Sequence, residues 1–406
     1  MRLNTADAAF LVGDAAALEA MPEALPLEPF SPRVLDLFDA LAKALLSRPE
    51  ARRFPDLAAL AFWCRRAAME ERQKPYLDGV FRLGKGMAFH IAPGNVPLNF
   101  AYSLAAGLLA GNANAVRLPS EPFPQAALVC AALEELLTGA FSDLRPYAAC
   151  LRYPRESGLT EALSALCDAR IVWGGDETVR RVRAFPLKPR AAEICFADRW
   201  SACVIDSGAY LAHADRDALA RDFYNDTYLN DQCSCAAPRA VLWLGEREGE
   251  ARADFWPRVE AIAATEYDWP AALAVAKREA FCRIAADCPG ARLLTRGNLL
   301  VRVELPALTP AAMELHPGGG FFLETAAASL GALLPVCGEK CQTVTHYGVK
   351  REAFHAFLQT HRPRGADRMV PIGRALEFSL TWDGVDLIRR LSRAAVCEAS
   401  VKEDPT

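Results

Sequence analysis

Between Gly86 and Glu177 the chain repeats one pattern three times, and that pattern leaves few folds open. An apolar segment of strand length, Gly86 to Ala92, runs into the turn Pro93-Gly94-Asn95-Val96-Pro97. A longer apolar segment follows, Leu98 to Ala110, closed by Gly111-Asn112 as a helix usually is. Ala113 to Leu118 reads as a second strand, stopped by Pro119-Ser120, with a helix from Pro124 to Leu137 behind it. Ala169 to Trp173 is a third strand, ending in Gly174-Gly175-Asp176-Glu177 where another helix begins. Short strands alternating with helices imply a parallel sheet covered on its faces, because a parallel neighbour is reached only by a long crossover.

The flanking segments extend this picture. From Ser31 to Ala68 apolar residues recur at helical spacing (Val34, Leu35, Leu37, Phe38, Leu41, Leu45), predicting helix. Around Arg199–Ile205 a strand opens a new block, followed by a helix from Ala214 to Leu229 and a strand over Arg239–Leu244. The expected organisation is a first α/β domain over 1–200 with an N-terminal helical segment, a second over 201–393, and a tail at 394–406.

Composition excludes several function classes. At 52% hydrophobic and 24% charged, with a formal net charge of −4, the chain has no general attraction for nucleic acid or anionic lipid. No apolar run approaches the roughly 20 residues of a spanning helix. The first thirty residues carry acids where an export signal needs a basic and then an apolar stretch, so a cytoplasmic location is expected. Thirteen cysteines in a chain of this length read mostly as small buried hydrophobes, Cys64, Cys130, Cys150 and Cys167 among them. Cys337 and Cys341 have zinc-like spacing but lack a second pair nearby, and no metal site is expected.

Chemistry concentrates in turns. Ligands of open α/β sheets sit beyond the carboxyl ends of the strands, which selects Pro93–Pro97, Pro119-Ser120 and Gly174–Glu177. Each alone reads as an ordinary connection, and G-x-G-x-x-G is absent: Gly84-Lys85-Gly86 lacks the third glycine and precedes a strand. Further on, Asp231-Gln232-Cys233-Ser234-Cys235-Ala236-Ala237-Pro238-Arg239 places two thiols one residue apart, in polar company that suits a core poorly.

Together these stretches resemble a known family. HIAPGNVPLNFAYSLAAGLLAGNANAVRLPSE (90–121) is similar to the cofactor side of the aldehyde dehydrogenase superfamily, and more narrowly to the LuxC-like acyl-CoA reductases. VWGGDETV (172–179), FADRWSACVID (196–206), NDQCSCAAPR (230–239), CQTVTHYG (341–348) and RMVPIGRALEFSLTWDGVDLIRRLSR (368–393) continue the match in order. The resemblance implies an aldehyde-dehydrogenase-like α/β fold, with a Rossmann-type cofactor domain and a second α/β domain carrying a nucleophilic thiol. It also implies an acyl-enzyme mechanism in which an asparagine amide and the cysteine's backbone N–H hold the oxyanion. The Pro-flanked turn supplies Asn95 for that role, helix capping being the plainer alternative. Dehydrogenases of the superfamily space the thiol as Gln-x-Cys, which falls on Ser234; the LuxC-like Gln-x-x-Cys selects Cys235, with Cys233 in reserve.

For the cofactor, ungapped counting from Gly111-Asn112 puts Arg117 and Ser120 where the superfamily keeps a lysine and a glutamate touching the adenosine ribose. Aligning Pro-Ser-Glu instead uses Glu121. An arginine without an opposing carboxylate accepts a 2′-phosphate, so NADPH is expected, with NADH the alternative. Gly174 and Gly175 let the backbone approach the cofactor, or simply make a tight turn. Weaker candidates are His346 as a proton relay, against a satisfied core histidine, and Glu324 as a partner for the nicotinamide ribose.

Hydrolytic relatives keep a glutamate that activates water; here Cys195 takes its place, unless a two-residue slip restores Glu193. The function this implies is reduction of an acyl-CoA or acyl-carrier thioester to an aldehyde, with an acyl-activating synthetase as a candidate partner. Aldehyde oxidation and a non-catalytic acyl-donor scaffold are the alternatives.

Overall fold

The three repeats fold as read. In the computed structural model, which describes residues 3–294 and 297–396, β1 (Ala9–Val12) and β2 (Arg82–Gly84) precede β3 (Met87–Ile91), β4 (Ala113–Arg117), β5 (Ala148–Arg152), β6 (Ala169–Trp173) and β7 (Ala192–Phe196). Strands β3 to β7 run parallel in the order β5-β4-β3-β6-β7, with β1 antiparallel on the β5 edge. All five residues of β3 and of β6 are buried, because helices cover both faces and leave no polar side to the strand.

Register then aligns the strand ends. Ile91 lies opposite both Arg117 and Val172, and Arg117 opposite Leu151, so the carboxyl ends of β3 to β6 share one rim. From β3 the chain steps outward through β4 to β5, then crosses back to place β6 and β7 on the other side of β3. The crevice between β3 and β6 is therefore the topological switch point, where such sheets bind ligands. Asn95 and Gly174 stand in the turns on its two sides.

The stretch from Ser31 to Ala68 is not one helix but Pro32–Ser47, Pro55–Trp63 and the start of Arg66–Gln73. Pro49 and Pro55 cannot continue an α-helical hydrogen-bond ladder, so each begins a new element instead. The predicted apolar stripe of the first helix is nonetheless buried in full.

Residues 198–379 form a second unit. Its sheet contains β8 (Trp200–Asp206), β9 (Pro238–Leu244), β10 (Arg292–Leu293), β11 (Val301–Glu304), β12 (Phe321–Ala327), β13 (Cys341–Tyr347) and β14 (Arg368–Pro371). The order is β10-β11-β12-β9-β8-β13-β14, parallel throughout except for β10. One face packs Val204, Leu242, Val303, Leu323 and Val344; the other packs an aromatic set of Phe223, Trp243, Phe255, Trp256 and Phe322.

The second block does not extend to 393. Residues 380–396 belong with the first unit, 3–197. There β15 (Thr381–Trp382) and β16 (Val385–Asp386) make a hairpin turning on Asp383 and Gly384, both with positive φ, and Asp386 caps the helix Leu387–Leu391. β17 (Ser392–Ala394) then pairs with β2. Most of the expected tail, 397–406, lies outside the described residues.

Candidate active site

The thiol-bearing loop is built from its scaffold upward. Helix Arg216–Thr227 tightens into a short 3₁₀ turn, and the backbone then passes through Asp231 and Gln232 with φ of 50° and 59°. Two successive non-glycine residues in the left-handed region cost about 1 kcal/mol or more each, so something must hold them. Gln232 does. Its side chain, 1% exposed, accepts from the Gly320 and Phe321 amides at 2.9 and 3.1 Å and donates to the Pro238 and Phe321 carbonyls at 2.9 and 3.2 Å. The expectation that Gln232 suits a core poorly is thus corrected: a buried amide with all four bonds made is stable in a core.

Opposite the loop lies Gly318-Gly319-Gly320, all three with positive φ. A Cβ on Gly318 would stand 2.5 Å from the Asp231 carbonyl oxygen, and one on Gly320 would stand 2.3 Å from that of Leu299. Gly319 N–H donates to the Asp231 carbonyl at 2.8 Å, and Tyr267 donates to the Asp231 carboxylate at 2.6 Å. Lys277, 1% exposed, donates to the carbonyls of Asn298 (2.6 Å) and Gly319; burial pulls its amine down to about 8. The cradle of glycines, Gln232 and Lys277 escaped the sequence reading. The run of three glycines before a strand was its only visible trace.

Cys233 and Cys235 differ. Cys233 is the more exposed, yet partial burial of its sulfur and then the neighbouring Asp231 carboxylate push its thiol up, with Arg239 opposing. Cys235 is half-buried, and its carbonyl accepts from the Ser201 hydroxyl at 2.7 Å, which in turn accepts from the Thr343 amide at 3.1 Å. Ala236 and Ala237 behind it are 1% exposed, which explains why only small side chains follow the thiol. This loop lies at the amino end of β9, so the rule locating ligands at carboxyl ends does not find it. Cys64, Cys130, Cys150 and Cys167 are buried, as expected.

In the first unit, Asn95 is exposed on the turn after β3. It is not the helix cap: helix Asn99–Leu109 starts at Asn99, with Leu98 in the N-cap position. Arg117 ends β4, stacks its guanidinium 4.8 Å from the Tyr153 ring centre, and donates to the Tyr153 carbonyl at 3.4 Å. Ser120 and Glu121 are exposed just beyond, and no ion pair joins Glu121 to Arg117 among the described residues. A Cβ on Gly174 would stand 3.1 Å from the Thr178 methyl, whereas one on Gly175 would meet nothing within 4 Å. Neither glycine has a positive φ, so the turn itself does not require them.

Below this rim runs a buried polar chain. Trp173 Nε1 donates to Ser103 at 2.9 Å, Ser103 bonds His90 Nδ1 at 2.8 Å, and His90 Nε2 bonds Asn114 Oδ1 at 3.0 Å. The Asn114 amide nitrogen is spent on the Asn112 carbonyl, so Nε2 carries the His90 proton. Burial, against the Asn114 bond, lowers His90 to about 4 and keeps it neutral.

Three weaker candidates resolve differently. Glu324 is fully buried, ion-paired to Arg302 at 2.6 Å and bonded by the Trp243 and Trp256 indoles at 3.0 Å each; it is a core carboxylate, not an open ribose partner. His346 is half-buried, its Nδ1 has no partner among the described residues, and burial lowers its pKa; it is not a satisfied core histidine. Glu193 is ion-paired to Arg170 at 2.5 Å and Arg183 at 2.9 Å. Burial works to raise its pKa, but the two arginines outweigh it and hold the carboxyl below its ordinary value.

Residues 40–273, more than half of the chain, match the family described as acyl-CoA reductase (LuxC). The chain belongs to that family. The matched span includes Asn95, Arg117, Ser120, Gly174, Gly175 and Cys235. Within this LuxC family context, the long-chain acyl-protein thioester reductase of Aliivibrio fischeri is 24% identical over 205 residues, 48% of this chain and 41% of that protein. The match thus spans about two fifths of the relative's length. Among solved structures, an NAD-dependent aldehyde dehydrogenase from Sinorhizobium meliloti superposes with a TM-score of 0.67 at 13% identity, covering 100% of this chain and 94% of that one. Lactaldehyde dehydrogenase from Escherichia coli gives 0.64 at 16%, covering 94% and 89%. These likenesses establish the aldehyde dehydrogenase fold for this LuxC-family chain. No helix among the described residues is long and apolar enough to cross a membrane.

Proposed function

We propose that this chain reduces an acyl thioester to an aldehyde through an acyl group carried on Cys235. The donor is an acyl-CoA or an acyl carrier, handed on by an acyl-activating synthetase where one is the partner, and the setting is the cytoplasm. The observation that carries the reading is the state of Glu193. By the resemblance Cys195 stands where the superfamily keeps its water-activating glutamate, and Glu193, which a two-residue slip would put there instead, is bound to Arg170 and Arg183. A base for hydrolysis needs a pKa near the working pH, and this one is held below the ordinary carboxylate value. An acyl-enzyme sheltered from water in this way persists until it is reduced or returned to a thiol.

In this scheme the Cys235 thiolate attacks the carbonyl carbon of the donor. Asn95 and the backbone N–H of Cys235 hold the oxyanion, the old carbon–sulfur bond breaks, and the donor thiol leaves with a proton. A nicotinamide cofactor, when bound, would supply the hydride for the acyl carbon. The resulting hemithioacetal collapses, the Cys235 thiolate departs, and the aldehyde is freed. The donor set of the first unit fits such a cofactor: a switch-point crevice, room above Gly175, and in Arg117 a half-buried cation with no carboxylate partner among the described residues. Arg117, Ser120, Gly174 and Gly175 would hold it, and Arg117 favours NADPH over NADH. Cys235 is preferred to Cys233 because the Cys233 thiol is pushed up and its loop-forming neighbours fix Cys235 through Ser201.

Intact-mass analysis after mixing the protein with an acyl-CoA tests the reading. One acyl adduct should form, stable without cofactor, absent in Cys235→Ala and retained in Cys233→Ala. Adding NADPH should discharge it as aldehyde, with one free thiol per turnover. An adduct on Cys233, or rapid release of free acid in place of aldehyde, would overturn the proposal.

A further inference from the structure

One buried hydroxyl joins the two turns that border the switch-point crevice. Ser103 stands in the second turn of helix Asn99–Leu109, which begins just after the turn that carries Asn95. His90 stands in β3, just before the same turn. The 2.8 Å bond between the Ser103 hydroxyl and His90 Nδ1 therefore ties strand to helix across the base of the Asn95 turn. Trp173 is the last residue of β6, immediately before Gly174, and its indole N–H donates to the same hydroxyl at 2.9 Å. The indole is held in its turn by Phe196 at the end of β7, their ring centres 3.8 Å apart in a stack. Directions along this chain are fixed. His90 carries its proton on Nε2 for Asn114, so Nδ1 can only accept; Ser103 donates to it and accepts from Trp173. Space for the chain comes from Gly107, where a Cβ would stand 1.8 Å from Asn114 Oδ1 and 3.0 Å from His90 Nε2. Ser103, His90 and Asn114 are all buried, among strand neighbours such as Ala88, Phe89, Ala115 and Val116 that are apolar. Apolar groups of the same shape would fill these places at little loss of stability, because a buried hydrogen bond replaces one made to water. Direction is what apolar packing lacks: a fully satisfied polar chain fixes one arrangement of the segments it joins.

We infer that Ser103 is a positioning residue for both halves of the reaction, its single hydroxyl holding the Asn95 turn through His90 and the Gly174 turn through Trp173. The inference rests on the reading that Asn95 serves the acyl-enzyme while Gly174 and Gly175 face the cofactor. It adds the group that sets the spacing between those two turns. The two arms are separable, because Trp173→Phe keeps the stack on Phe196 and the His90 bond and deletes only the indole donor, whereas Ser103→Ala cuts both.

Three measurements on the full chain test it: the rate of acyl-adduct formation on Cys235 without cofactor, isothermal titration with NADPH, and hydrogen exchange without either. In Ser103→Ala, acylation should slow about tenfold or more and the NADPH dissociation constant should rise about tenfold. Trp173→Phe should weaken NADPH binding by a similar factor and acylate at the wild-type rate. That split is what a general loss of stability would not produce. Exchange is read at the amides that close the two turns: Ala92, Asn99 and Ala101, which donate to the Arg117, Val96 and Leu98 carbonyls, and Gly174, which donates to that of Phe196. All four should exchange about tenfold faster in Ser103→Ala, and Gly174 alone in Trp173→Phe. Unchanged rates and affinities in a folded Ser103→Ala, loss of only one of its two functions, or a Trp173→Phe chain that acylates as slowly as Ser103→Ala overturns the inference. Should Ser103→Ala fail to fold, the split in Trp173→Phe decides alone. A wild-type chain that neither acylates nor binds NADPH sinks the reductase reading instead, and the exchange result then still decides whether the hydroxyl holds the two turns.

Discussion

Gln232 is where a single side chain decides most. Its amide satisfies two backbone N–H groups and two carbonyls from two other segments, and Gln232 itself, like Asp231 before it, has a positive φ. Gln232→Ala strands those four groups in a dry interior, each worth about 1 kcal/mol or more, so a loss of about 4 kcal/mol is expected in a urea titration. Acylation of Cys235 should slow as well, because the loop loses its brace. Asp226 offers a pH test. It is 2% exposed, it accepts from the Gly373 and Ala375 amides, and burial, reinforced by Asp222 and opposed by those amides and by Arg368, raises it to about 7. The folded chain therefore keeps a proton that the unfolded chain gives up near the ordinary value of 3.8. Stability from this group is greatest at low pH, falls as pH rises toward 7, and is flat above, by at most about 4 kcal/mol in all. The difference in urea midpoint between wild type and Asp226→Asn, taken at about pH 5 and about pH 8, should carry that slope. A constant difference would mean that Asp226 does not titrate there. Neither residue announced itself in the sequence. A glutamine and an aspartate near the end of a helix read as solvent-facing side chains until the glycines and amides they bind are placed beside them.

Elements were legible in proportion to how continuous their apolar surface is. β3, β4, β6 and β9 stood out because both faces are buried and the run of apolar residues is unbroken or nearly so. β13 did not: the polar Gln342, Thr343 and Thr345 are buried in it and interrupt its apolar run, and β12 carries the buried Glu324. The Asn95 turn and the Cys235 loop were legible through their composition, but their supports were not. The Gly318–Gly320 element shows why, since its role is to have no side chains. Gly318→Ala would drive a methyl group to 2.5 Å from the Asp231 carbonyl oxygen at a φ of 83°. The backbone under the thiol must shift, and a misplacement on that scale slows a positioned reaction by about tenfold to a hundredfold. The rate of acyl-adduct formation on Cys235 should fall accordingly. Gly338→Ala, which meets nothing within 4 Å, should leave the rate unchanged and serves as the control. Equal rates in the two variants would remove the cradle from the account of the site.

At the scale of the whole molecule, the chain order and the spatial order part company near the end. Nothing in the composition of residues 380–396 marks a boundary with the block before them. What returns them to the first unit is burial: Leu387, Ile388 and Leu391 are each 1% exposed or less. The Leu391 carbonyl also accepts from Asn112, whose amide oxygen holds the Lys85 and Gly86 amides at the entry to β3. Asn112, read from sequence as part of a helix stop, is thus the link between the last helix and the first strand of the parallel core. Removing everything after Ser379 would expose those three side chains' sites, a loss of roughly 5 kcal/mol or more. It would also leave the Asn112 amide short of one acceptor and β2 without its partner strand. That sum is comparable to the whole stability of an ordinary domain, so the first unit should lose its cooperative fold. The second unit buries its own two faces around β8, β9 and β12 and depends on none of these contacts. Hydrogen exchange on the truncated chain should therefore become fast in β3, β4 and β5 while β8, β9 and β12 stay protected. Retained protection in β3 to β5 would show that the C-terminal segment is an accessory to the first unit and not one of its structural members.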